Sequence, residues 1–244
     1  MAGFLRKLGQ RAGPRARKVQ WLWQSLTGSE ADAIRAEHAV GRDMATEVRR
    51  QMPPDPDAQA AGLMADIGAR LAGCVTNRLR TFQTEVVLAK APNAFALPGG
   101  FVFVTRPLVD LCEGAPDELA FVLGHEMAHV IRGHAIDRVL ASSATVLAAR
   151  AVPGPGAAGA WVRQVGVRYL EGAYSRDREL DADELGVRLA DAAGYGRAGA
   201  ERLLERLAKV HEAAGDGALG LGRYFASHPP AAERIRHVQQ APPV

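Results

Sequence analysis

Three residues in this chain, His125, Glu126 and His129, have the types and spacing for metal-assisted hydrolysis. They lie in the stretch Phe121-Val-Leu-Gly-His125-Glu126-Met-Ala-His129-Val-Ile-Arg-Gly133, whose pattern predicts an amphipathic helix. On a helix, residues i and i+4 stack on one face. His125 and His129 can therefore offer two imidazole nitrogens to one ion, at about 2.0–2.1 Å for zinc. Glu126 stands one residue round the helix, off that line. There it can take a proton from a metal-activated water.

With seven histidines and fourteen glutamates in 244 residues, a chance His-Glu-x-x-His arises roughly once in a hundred such chains. The alternative is a helix with two solvated histidines and an incidental glutamate. The apolar flanks Leu119, Phe121, Val122, Leu123, Val130 and Ile131 argue against it, because they predict a helix buried on most sides. Buried polar groups need partners, at a cost of about 1–3 kcal/mol each when they have none. A metal satisfies all three residues at once.

The elements that must position this helix follow from local signals. Ser29 is an N-cap for a helix to Gln51, with Ile34, His38, Met44 and Val48 at helical spacing; His38, among charged residues, reads as solvated. Met52-Pro-Pro-Asp-Pro-Asp57 breaks that helix and caps another to about Cys74, with Leu63, Ile67 and Leu71 as its stripe. Thr84 to Ala89 and Phe101 to Thr105 are β-prone, the second entered through the turn Pro98-Gly-Gly100. Between them, Pro92 to Leu97 alternates and stops at a proline, which predicts an edge strand. Such a strand can add an extended peptide to the sheet or simply be solvated. Pro116 opens the metal helix, with Asp117 and Glu118 near its positive dipole end.

A catalytic zinc takes a third protein ligand. Ser175 to Ala193 predicts a helix in which Glu179 and Asp183 are i and i+4. Glu179 can bind the metal and Asp183 can accept the free N–H of a metal-bound histidine, fixing its tautomer. Asp181 lies on another face. Arg178, Asp181 and Glu184 fit a charged surface helix.

These motifs together resemble the zinc metallopeptidase family that contains HtpX and the type I CAAX prenyl proteases, a branch of the gluzincins. The resemblance rests on Asn93-Ala-Phe-Ala-Leu-Pro-Gly-Gly100 with Phe103-Val-Thr105, His125-Glu-Met-Ala-His129, Ser175-Arg with Glu179-x-x-Ala-Asp183, and Ser227-His228-Pro229. It implies one Zn2+ per chain on His125, His129 and Glu179, Glu126 as general base, and Asn93, Ala94, Phe95 and Ala96 as a substrate strand. It further implies that His228 lies beside the zinc, to stabilise the oxyanion or fill a coordination position. The glycine-rich loop Ala213 to Gly222 can hinge His228 to and from the metal, which predicts a latent form. Arg234 reads as holding that loop. His134, His211 and His237 read as structural or exposed.

Charge is uneven. Residues 1–18 hold Arg6, Lys7, Arg11, Arg15, Arg17 and Lys18 and no acid, leaving 24 basic residues against 27 acidic in the rest. Residues 1–28 therefore read as a basic arm, either disordered or lying on an anionic membrane surface through Val19, Leu22, Trp23 and Leu26. With no signal peptide and no run of about twenty apolar residues evident, two expectations stand: a cytoplasmic protein that works in solution or on a membrane surface, or a sequence whose given start omits upstream residues. Many relatives have spans or signals, and prenyl-protein cleavage is not expected without a membrane chamber. Cys74 and Cys112 read as buried small hydrophobes. The expected architecture is a mainly helical α+β, zincin-like domain over 29–244 with a small sheet beside the metal helix. The expected function is zinc-dependent hydrolysis of peptide bonds in proteins or peptides, with no nucleic-acid partner. The competing class is a catalytically silent, zinc-containing binding or chaperone-like module.

Overall fold

The computed structural model describes residues 29–139, 174–214 and 229–243. Helix α1 (Glu30–Gln51) begins at the expected cap: the Ser29 hydroxyl accepts from the Asp32 N–H while the Asp32 carboxylate accepts from the Ser29 N–H. Asp57 caps α2 (Ala58–Cys74) by accepting from the Gln59 and Ala60 N–H groups. Its buried stripe is Met64, Ile67 and Leu71, with Leu63 half-buried beside it.

Three strands follow, β1 (Gln83–Val87), β2 (Ala94–Leu97) and β3 (Phe101–Thr105), in the order β1-β3-β2. β1 runs parallel to β3 and β2 antiparallel to it. β1 ends two residues before the predicted Ala89. Beyond Val87 the chain turns to the segment after α1, where Leu88 N–H donates to the Pro53 carbonyl and Asp55 N–H to that of Val86. That segment covers the outer side of β1 and leaves β2, among the described residues, as the open edge. The β3 run Phe-Val-Phe-Val-Thr is buried on both faces. Val86, Ala96, Val102 and Val104 face the core shared by α2 and the metal helix; Val87, Phe95, Leu97, Phe101 and Phe103 face Met44, Ala45 and Val48 of α1. The turn Pro98–Gly100 docks so tightly on α1 that a Cβ at Gly41 would lie 1.7 Å from the Pro98 carbonyl oxygen. His38 is not solvated as expected; it is half-buried, its ring 5.0 Å from that of Phe101.

A short helix α3 (Arg106–Leu111), not foreseen from the sequence, leads to the metal helix α4 (Pro116–Ile131). Every residue from Glu118 to Val130 is buried. Around α4 pack α2, β2, α5 (Arg176–Ala192) and α6 (Ala198–Ala214), with α7 (Ala231–Gln240) against α5 and α6. α4 and α5 cross at Gly124 and Gly186. A Cβ at Gly186 would lie 2.7 Å from the His125 backbone nitrogen, and one at Gly124 would lie 2.6 Å from the Gly186 carbonyl oxygen. Two residues without side chains let the helices touch backbone to backbone, and that approach brings α5 side chains to His125.

The architecture is thus the expected mainly helical α+β arrangement with its sheet beside the metal helix. No helix among the described residues is long and apolar enough to cross a membrane. The expectations for the arm 1–28, for the apolar stretches between 140 and 173, for the side chain of His211, and for His228 with the loop beyond Ala214 fall outside the described residues.

Candidate metal centre

His125 and His129, one turn apart on α4, bring their Nε2 atoms to 3.1 Å. Glu179, in the first turn of α5, places Oε2 3.4 Å from His125 Nε2 and Oε1 3.7 Å from His129 Nε2. Two ligand atoms about 2.0–2.1 Å from one tetrahedral ion lie roughly 3.3 Å apart. The two imidazole nitrogens and the nearer carboxylate oxygen to each thus stand about as far apart as ligands of one ion do, and the donor set of two imidazoles and a carboxylate suits zinc. All three residues are buried.

The surroundings orient these donors. His125 Nδ1 lies 2.8 Å from Asp183 Oδ1, and a carboxylate there accepts, so Nδ1 carries the hydrogen and Nε2 presents its lone pair. Asp183, fully buried, is clamped by Arg234 of α7, whose Nε donates to Oδ2 at 2.8 Å and Nη2 to Oδ1 at 2.7 Å. Burial alone would raise the Asp183 carboxyl; Arg234, foremost, and His125 outweigh it and hold it well below the usual carboxylate range. Burial likewise works against a charged His125, yet Asp183 and Glu179 lift its imidazole to about 10. The site is electrostatically arranged for a cation.

Glu126 is buried on the side of α4 that faces β2, and lines a small pocket with Ala94, Phe121, Leu203 and Arg234. Burial raises its carboxyl above the ordinary value, and Glu179 adds to this; His125, Arg138 and the Ala96 N–H act in the opposite sense. Because Thr105 N–H donates to the Asn93 carbonyl, the hydrogen-bonded pairs of the hairpin fall at 93, 95 and 97. The backbone groups of Ala94 and Ala96 therefore point to the open edge. Ala94 N–H is held by the Asn93 side chain at 2.9 Å, and the Ala96 N–H is directed towards the Glu126 carboxylate, whose proton affinity it lowers. Phe95 turns inward and stacks on Phe103 with ring centroids 5.4 Å apart.

Four residues near the centre escaped the sequence reading. Arg234, read as a loop brace, holds Asp183. His134, read as structural or exposed, is buried with Nδ1 3.1 Å from Nδ1 of His129; burial, with Arg178 in the same sense, lowers its proton affinity. Tyr174 lies flat on the His129 imidazole, centroids 4.0 Å apart at 18°, and the Arg138 guanidinium covers its other face at 3.3 Å. Gly186 sets the α4–α5 approach. Two carried a sequence signal: Arg234, at the family's spacing after Ser227-His228-Pro229, and Gly186, a glycine seven residues past Glu179 on the same helix. Asp181 stays off the site as expected, 3.0 Å from Arg132, and His237 sits half-buried beside Glu184.

This geometry agrees with what the chain is similar to. The family model described as Peptidase family M48 matches residues 58–241. Metalloprotease YcaL of Escherichia coli is 34% identical over 230 residues, covering 89% of this chain and 82% of that protein. Mitochondrial metalloendopeptidase OMA1 of Schizosaccharomyces pombe is 32% identical over 164 residues, covering 65% of this chain but 46% of that protein, so this chain spans about half of that relative's length. A protease HtpX homolog of Salinibacter ruber is 29% identical over 180 residues, covering 61% of this chain and 64% of the relative. The match of a single family model to most of the chain, over the residues that build the centre, assigns it: this protein belongs to peptidase family M48.

Proposed function

We propose that the chain is a zinc-dependent endopeptidase acting on protein or peptide substrates, and that His125, His129 and Glu179 hold one zinc ion. The observation that carries this reading is the convergence of one ligand atom from each of His125, His129 and Glu179 within 4.8 Å of one another, next to a buried carboxylate that no ligand role requires. A zinc ion held by His125, His129 and Glu179 would supply Lewis acidity to the scissile carbonyl and acidify a bound water to a pKa of about 7. Glu126 takes the proton of the attacking water and hands it to the leaving amine. Asp183, gripped by Arg234, keeps His125 in the tautomer that presents Nε2. The substrate pairs in extended form with the open edge at Asn93 to Ala96, and the Asn93 side chain then releases the Ala94 N–H group. To His228 we assign stabilisation of the oxyanion and, at rest, a fourth position on the metal; the Ser227-His-Pro motif alone supports this.

The test is metal-dependent cleavage of an unstructured protein such as reduced, alkylated casein. The proposal expects about one zinc per chain, loss of cleavage on chelation and recovery with stoichiometric zinc. A zinc-loaded protein that binds unfolded chains without cleaving them, across a broad peptide library, would instead make this a binding module.

A further inference from the structure

We infer that His134 is a positioning residue of the metal centre, the acceptor that fixes the tautomer and orientation of His129. The inference rests on the metal reading of His125, His129 and Glu179.

The two ligating histidines are oriented differently. His125 donates from Nδ1 to a carboxylate that Arg234 clamps. The Nδ1 of His129 faces another imidazole, Nδ1 of His134 at 3.1 Å, with both rings buried. When His129 uses Nε2 as a ligand atom, its hydrogen sits on Nδ1 and must be accepted. The His134 Nδ1 lone pair is placed to accept it, which leaves the His134 hydrogen on Nε2. That nitrogen lies 3.9 Å from Asp181 Oδ2, and Asp181 is itself held by Arg132. The order of groups outward from the metal position is thus His129, His134, Asp181.

An unbroken helix could not build this arrangement. Residues five apart on an α-helix point about 140° away from each other. Here α4 stops at Ile131, and Gly133 takes a left-handed φ of 75°, open to glycine at no steric cost. Its N–H donates to the Val130 carbonyl, and the chain re-enters helical conformation at His134, whose ring is turned back beneath His129. Tyr174, stacked flat on His129, fixes the plane of the ring; His134 fixes its rotation within that plane. The charged groups that act on His134 are Arg178, Asp181, Asp137 and Glu179, and Arg178 pairs with Asp137 at 2.8 Å.

The test compares His134→Leu, which fills the space without an acceptor, with His134→Asn, whose Oδ1 can stand close to where Nδ1 stood, and His134→Gln, whose Oε1 lies further out. Zinc affinity of the full chain is measured by competition with a chromophoric chelator, alongside thermal unfolding of each chelator-treated protein. His134→Leu and His134→Gln should bind zinc about tenfold to a hundredfold more weakly than the original chain. His134→Asn should return to within a few-fold of it. Visible spectra of the cobalt-substituted proteins should follow the same grouping. Equal zinc affinity in all four proteins overturns the assignment, as does an Asn variant no tighter than the Gln variant. A merely structural histidine would instead show as lowered unfolding temperatures with no recovery of zinc affinity in the Asn variant. If His134→Leu does not fold, the Asn and Gln pair still decides the question. An unsubstituted chain that binds no zinc removes the metal reading itself, a result distinct from an unsubstituted chain that binds zinc and a His134→Leu variant that binds it equally well.

Discussion

Gly186→Ala should weaken the metal centre while leaving the fold largely intact. The added methyl would sit 2.7 Å from the His125 backbone nitrogen and 2.9 Å from its Cα, whereas ordinary contact begins near 3.4 Å. α5 must therefore retreat from α4 by roughly 0.7 Å, or tilt to the same effect, since both contacts are backbone and cannot swing aside. Overpacking of this kind costs about 1–3 kcal/mol. Alanine returns about 1 kcal/mol through its better helix propensity. The net loss of stability is then roughly 0–2 kcal/mol, or a few degrees in Tm for a chain of this size. A metal site tolerates about 0.2 Å of error in its ligand distances, and Glu179 rides on the helix that moves. Zinc affinity should fall by at least about tenfold, a loss of about 1.4 kcal/mol or more. Gly62→Ala on α2, where a Cβ would meet nothing within 4 Å, is the control: up to about 1 kcal/mol more stable and unchanged in zinc affinity. Chelator competition and thermal denaturation of the two variants give both numbers. A Gly186→Ala protein with unaltered zinc affinity would refute the argument that this glycine pair sets the reach of Glu179.

Other outcomes follow from buried groups. Burial opposes ionisation of Asp183, but Arg234 and His125 hold its folded-state pKa below the unfolded value of about 3.9, so its contribution to stability is full above that value and is lost progressively as pH falls from there through the lower folded-state pKa. Urea midpoints should therefore show Asp183→Asn less stable by about 3–5 kcal/mol at neutral pH, with the gap narrowing below pH 4; a gap independent of pH contradicts the pairing. Cys112 is fully buried and its thiol is pushed up to about 12 by burial, with Glu118 adding to it, whereas Cys74 is partly accessible. A thiol reagent at pH 8 should label Cys74 alone in the folded protein and both only after denaturation; rapid double labelling contradicts the packing described here.

The pairs His125 with His129 and Glu179 with Asp183 were legible in the sequence because i and i+4 on a helix is a local geometry, fixed by backbone periodicity; that the two pairs meet is non-local and rested on their combination and on the family resemblance. Ser29, Asp57 and the Pro98–Gly100 turn were legible for the same reason: caps and turns satisfy nearby backbone groups. What escaped was non-local. Arg234 meets Asp183 across 51 positions of chain, and nothing in its own neighbourhood marks it as buried. His134 escaped because i+5 spacing places it off the metal face of a regular helix; only the left-handed turn at Gly133 brings it back. β1 stopped short of its predicted end because residues 53–55 compete for its edge. His38 looked solvated in a charged neighbourhood, yet the tight fit of Gly41 on Pro98 draws it against Phe101.

The central claim, that Glu126 activates a water at a zinc ion held by its neighbours, is tested most directly with Glu126→Gln. The substitution keeps size and hydrogen-bonding reach but removes the base, and Glu126 is not among the three donor groups brought within 4.8 Å of one another. Zinc content by mass spectrometry and cleavage of reduced, alkylated casein are measured on the same preparations. The account predicts about one zinc per chain in both proteins and a fall in cleavage by the Gln variant of at least about a hundredfold. Cleavage at the original rate by a fully zinc-loaded Glu126→Gln protein would contradict it.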